Sequence, residues 1–296
     1  MPRGSLAGPN SPEWETVFDP DSGHNHDGIN SAPIGGGVPG SVNGTTITGG
    51  ASQITIGPGN ATGQNGNTIT VTSPVLIDLA AKGEEPGGYD SNFIAAGGRP
   101  GAAPGEWYYI YLIKNPGTGV VSAIVSKDPN SPALGAPFDG FTIWRQIGVV
   151  LDEPPGAFTP FKYLADLGLF TFDVPQFILA PGPLPPPPGA KIPLAAPDTT
   201  PFVPPNVPLL PVELQVREVG PPSGFIITDA DVPAPPTVGQ IDNTPALTGG
   251  TFFKGRVNAI PVGPPTPPPL DVVPGVLAMD PGGVGSYDLY VTGFWL

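Results

Sequence analysis

The 296-residue chain predicts an all-β protein, and three observations carry that prediction. Runs of about seven residues rich in aromatic and β-branched side chains, such as Trp107-Tyr-Tyr-Ile-Tyr-Leu-Ile113, are punctuated by Asn, Pro, Gly and Asp, as strands joined by turns are. Val212-Glu-Leu-Gln-Val-Arg-Glu-Val219 begins with strict apolar–polar alternation, which suits a strand with one face buried and one wet. No stretch carries a helical apolar period, and 43 glycines with 46 prolines would interrupt one.

Taken in order, residues 1–34 read as an extended arm. Pro2, Pro9, Pro12, Pro20 and Pro33 break any helix, while Trp14, Val17 and Phe18 form an apolar cluster that needs a surface to cover it, either the chain's own body or a partner. Residues 35–73 form a Gly/Thr-rich, shaft-like β region with short strands at 45–48, 53–56 and 67–72, separated by turns such as Gly57-Pro-Gly-Asn60. Each strand buries one Ile or Val at every second position, too little for an isolated core. Three interleaved chains, a small β-solenoid or a hairpin laid on the following domain would each supply the remainder.

Residues 74–179 read as a β-meander domain. Pro74-Val-Leu-Ile-Asp-Leu-Ala-Ala81 suits a strand or a short helix, and three strands follow at 107–113, 120–126 and 141–151. The first of them is apolar at both parities, so both of its faces must be covered. Trp107, Tyr109, Tyr111 and Trp144 are therefore candidates for core or oligomer packing. Phe158 to Phe177 completes this domain or bridges to the next. Ala180-Pro-Gly-Pro-Leu-Pro-Pro-Pro-Pro-Gly189 has the composition of a stiff polyproline linker.

Residues 190–296 predict a C-terminal antiparallel β-sandwich, jelly-roll-like, with strands at 212–219, 225–228, 251–260, 275–279 and 286–296. The last ends in Phe294-Trp295-Leu296, and so apolar an end is expected to pack in the core or in an oligomer interface.

Composition narrows the function classes. A net charge of −14 repels phosphate backbones and anionic membranes, and the 11 Lys and Arg are scattered along the chain. With no cysteine there is no disulfide framework, thiolate metal site or cysteine nucleophile. The start lacks the apolar core of a signal peptide and no run has the length of a membrane span, so a protein made in a cytoplasm and not inserted in a membrane is expected. No catalytic constellation assembles. Both histidines share one turn, Glu84 and Glu85 are adjacent in a Gly-rich loop, and Asp229 with Asp231 stands at a strand end as a turn signal does. The expectation is a protein that is not an enzyme and requires no cofactor.

The segments Ser22-Gly-His-Asn-His-Asp-Gly-Ile-Asn-Ser-Ala-Pro-Ile34, Trp107–Ile113 and the run from Gly117 to Val150 that contains Trp144-Arg-Gln-Ile-Gly148 resemble tail-fibre and virion-appendage proteins of tailed bacteriophages. The resemblance covers roughly residues 20–170. It implies a structural virion protein, assembled in the host cytoplasm, resident on the virion and homotrimeric. Trp14, Val17 and Phe18 would then dock on other virion proteins, and the β-domains would project, reaching a host surface glycan or protein. His24 and His26, two apart on an extended chain, point to one face; around a threefold axis six imidazoles would hold one iron or zinc ion, or would simply hydrogen-bond across the junction. A capsid-decorating or neck/connector protein without receptor binding is the alternative in the same class.

Overall fold

The computed structural model describes residues 42–43, 46–50, 52–91, 107–153, 157–164, 167–184, 190–194, 202–204, 210–219, 224–229, 241–242, 252–262, 273–280 and 282–296. The arm at 1–34 and residues 185–189 of the linker therefore lie outside the described residues. Among the described residues there is no α-helix; a 3-10 turn spans Ala136–Phe138, and the chain is all-β. Its strands are β1 (Val42–Asn43), β2 (Thr46–Gly49), β3 (Gln53–Ile56), β4 (Gly59–Thr62), β5 (Thr68–Val71) and β6 (Val75–Asp78). There follow β7 (Trp107–Lys114), β8 (Val121–Ser126), β9 (Ile143–Glu153), β10 (Ala157–Phe158), β11 (Phe161–Leu164), β12 (Leu169–Gly182) and β13 (Ala190–Pro193). The last are β14 (Leu210–Glu218), β15 (Ile226–Asp229), β16 (Ile241–Asp242), β17 (Phe252–Val262), β18 (Val273–Met279) and β19 (Tyr287–Trp295).

The strands form three sheets. A wide one runs β16-β15-β18-β17-β14-β19-β12-β11-β2-β3-β6, with β13 beside β18; the others are β1-β4-β5 and β10-β9-β7-β8. The wide sheet carries strands from residues 46–78 and 210–295 side by side because β12 pairs with β11 on one edge and with β19 on the other. One row of its inner face reads Val257, Val212, Phe294, Phe170, Tyr163, Ile47 and Ile56 from strand to strand. All seven are buried. The lone Ile of each short N-terminal strand is thus completed by aromatics of β11 and β12 in the same chain.

The three-stranded meander expected from 107–151 is corrected. A meander would put β8 in the middle, whereas β7 stands between β8 and β9. The reason lies in β7 itself, the strand apolar at both parities, which is stable only where both edges and both faces are covered. The connection at 127–142 is long enough to carry the chain from one edge of β7 to the other. It also covers one face: Leu134, Phe138 and Phe141 close a small cluster over Tyr111, Ile113, Ile124 and Trp144. The other face, with Tyr108, Ile110 and Leu112, joins the main core.

Strand β12 continues through Ala180-Pro-Gly182, where the sequence suggests a spacer. Its prolines are tolerated because the register against β19 slips between Thr171 and Gln176 and again between Leu179 and Gly182, so Pro175 and Pro181 fall in irregular stretches where no ladder N–H is required.

Candidate functional site

Trp14, Val17, Phe18, His24 and His26 lie outside the described residues, so the docking cluster and the paired histidines have no structural account. The other expected residues are placed. Trp107 is buried and meets Phe170 and Phe294 edge-on, with ring centroids 5.9 and 5.6 Å away. Phe294 stacks on Phe170 at 4.5 Å, so the end of β19 sits in the core. The strand end is tied down beyond it. Leu296 N–H donates to the Gly168 carbonyl at 2.8 Å, and Gly168 has φ of +60° with the Leu296 carbonyl 2.8 Å from where a Cβ would stand, so a side chain there would collide. Tyr111 is buried against Trp144, 5.7 Å between rings, and its hydroxyl donates to the Asp128 carbonyl at 2.7 Å. Burial, then the nearby Asp128, pushes the Tyr111 hydroxyl well above the usual phenol range. Tyr109 is half-buried and is shifted the same way by the same two causes.

Buried carboxylates clamp loops. Asp90, 2% exposed, accepts from the Ser126 hydroxyl at 2.6 Å and from Ala133 N–H at 3.0 Å, which holds the 127–142 connection on β8. Asp280 accepts from the N–H groups of Gly282, Val284 and Gly285 at 2.8, 2.9 and 2.6 Å. Asp229 accepts from the backbone and the side-chain amide of Asn258 at 2.7 and 3.2 Å, a structural use of the residue. Glu85 pairs with Lys82 at 3.2 Å on the surface. Among the described residues no group of three or more His, Asp or Glu side chains could hold a metal ion. No helix among them is long and apolar enough to cross a membrane.

The part of the surface that gathers chemistry is the outer face of the wide sheet. Along β14, Val212, Leu214 and Val216 are buried while Glu213, Gln215 and Arg217 point the other way. Pairing puts Arg256, Glu213, Gly293, Thr171 and Lys162 in one outer row, and Lys254, Gln215, Tyr290 and Phe177 in the next. The Arg256 guanidinium lies 4.2 Å from the centre of the half-buried Trp295 ring. Phe177 and Tyr290 meet at 5.2 Å. Glu213 takes a hydrogen bond from the Thr292 hydroxyl at 2.6 Å and stands 3.9 Å from Lys254, and Asp288 stands 3.9 Å from Arg217. Desolvation, then Asp288, raises the Tyr290 hydroxyl, which stays a neutral donor at ordinary pH.

Sequence reasoning missed this face. Period-two alternation identifies the outward residues of each strand separately, and nothing in it says that β17, β14, β19, β12 and β11 are neighbours. The signal that was available is the pair of outward cations Lys254 and Arg256 on one strand and the outward Tyr290 on another.

Compared with models of protein families, with curated proteins and with solved structures, the chain matches none of them.

Proposed function

We propose that the chain is a structural virion protein of a tailed bacteriophage, a tail-fibre or appendage protein that attaches through its N-terminal part and projects β-domains, with recognition of the host surface as their task. The observation that carries this reading is the occurrence, in one all-β chain, of the His26-Asp-Gly-Ile-Asn-Ser31 segment upstream of the paired strands that include Trp144-Arg-Gln-Ile-Gly148. An antiparallel framework with its C-terminal strand locked in the core fits a part that must stay folded outside the cell.

The finer reading is a homotrimer whose C-terminal domain, residues 190–296, is a β-sandwich of jelly-roll type, with His24 and His26 of three copies around one iron or zinc ion. Native mass by light scattering, with bound metal quantified on the same sample and incorporation of the tagged chain followed on density-purified particles, tests it. A particle-associated species of three times 30.2 kDa, losing its metal in His24→Ala and His26→Ala, supports the whole reading. A metal-free trimer keeps the appendage and removes the ion. A monomer that joins particles favours the decorating or neck protein instead, and a chain that never joins particles overturns the virion reading.

A further inference from the structure

The outer face of the wide sheet concentrates cations in an acidic protein. Of 11 Lys and Arg in a chain of net charge −14, four stand on this face: Lys162, Arg217, Lys254 and Arg256. Lys254 and Arg217 have Glu213 and Asp288 at the outer limit of ion-pair distance, 3.9 Å. Lys162 and Arg256 have no ion-pair partner among the described residues. Arg256 is nevertheless not loose. Its guanidinium rests on the Trp295 ring, which restrains the side chain while its N–H fork stays open to solvent. Beside it the Phe177–Tyr290 pair offers a half-exposed aromatic step and Gln215 an amide. From Arg256 to Lys162 the row crosses five strands, about 19 Å at the roughly 4.8 Å spacing of neighbouring strands.

From this we infer that the outer face between β17 and β11 binds an acidic polysaccharide, one carrying a carboxylate on widely spaced sugars. Cations separated along a row meet charges separated along a polymer. Arg256 matches a carboxylate with two parallel N–H donors, and half-exposed rings stack on the apolar faces of pyranoses. A row of outward side chains running across five neighbouring strands suits an extended chain better than a small ligand. Nucleic acid fits worse. Its phosphates are dense, and Glu213 and Asp288 lie in the same rows within a Debye length of about 8 Å. The inference names the surface chemistry that a projecting appendage would contact, and so rests on that reading for its biological setting but not for its chemistry.

The test is titration of the purified full chain, by calorimetry at low and physiological salt, with hyaluronate, which carries one carboxylate on every second sugar, neutral dextran and single-stranded poly-dT. The expected result is salt-sensitive binding of hyaluronate, none of dextran, and weaker or no binding of poly-dT. Arg256→Gln and Lys254→Gln should each weaken binding about fivefold, the size of one exposed charged contact, and the double variant more. Arg256→Lys, which keeps the charge and loses the fork, should recover only part. Far-UV circular dichroism and the melting temperature verify that each variant is folded. Absence of hyaluronate binding, binding that ignores these substitutions in folded protein, or poly-dT bound as tightly as hyaluronate would each overturn the inference. Because the titration uses isolated protein, its failure leaves the virion reading standing, and failure to join particles leaves the binding face standing.

Discussion

The four-stranded sheet and the wide sheet bury their strands in opposite ways. β7 has the main core on one face and the small Tyr111–Phe138–Trp144 cluster on the other, so nearly every residue from Trp107 to Ile113 is out of water. β14 is buried along Val212, Leu214 and Val216 and presents Glu213, Gln215 and Arg217 outward. The difference teaches where the two kinds of energy lie. A doubly covered strand is held by packing and by a few buried hydrogen bonds, while a singly covered one leaves a polar face free to change without unfolding the protein.

Substitutions should sharpen that contrast in graded steps. Phe294→Ala removes a ring stacked on Phe170 and edge-on to Trp107, and should cost about 3–5 kcal/mol of unfolding free energy in urea. A cost under about 1 kcal/mol would mean that the aromatic cluster is not a single packed core. Asp90→Ala leaves the buried Ser126 hydroxyl and Ala133 N–H without their acceptor, and should cost about 2–3 kcal/mol while loosening the 127–142 connection to proteolysis. If limited digestion cuts that connection no faster than in the parent, Asp90 is not what holds it.

Alkaline pH gives the next effect. The hydroxyls of Tyr111 and Tyr163 are both raised, chiefly by burial, above the ordinary value of 10.0. Above that pH the unfolded chain releases protons that the folded chain still holds. Their contribution is therefore fully present below about pH 10 and falls by roughly 1.4 kcal/mol per pH unit for each tyrosine above it. Urea midpoints from pH 8 to pH 11 should be level and then drop, and Tyr163→Phe should flatten the drop. The smallest effect belongs to the outer face. Lys254→Gln should change stability by about 0.5 kcal/mol or less, since its pairing with Glu213 is long and exposed. A larger loss would make the outer face part of the fold's support and would blur the comparison.

Much of this was legible in the residues. Strict alternation marked β14, mixed-parity aromatic runs marked β7, and the Thr-Ile-Thr repeats marked β2 and β5 within a residue or two. β4 went unseen because Gly59-Asn-Ala-Thr62 has no apolar alternation and reads as a turn; it is a strand because β1 and β5 pair with it on either side. β12 ran past Pro175 and Pro181 because slips in register absorbed them.

By itself the sequence determined that the chain is all-β, where most strands lie, and which side chains of each strand face inward, since those properties follow from local periodicity and turn chemistry. It also determined an acidic protein without cysteine chemistry. Only the tertiary structure decided the order of strands: β7 between β8 and β9, and β12 as the seam joining residues 46–78 to 210–295. Pairing partners distant in the chain are chosen by the total area buried, a quantity no local window contains. For the same reason four cations scattered over nearly a hundred residues came to stand on one face.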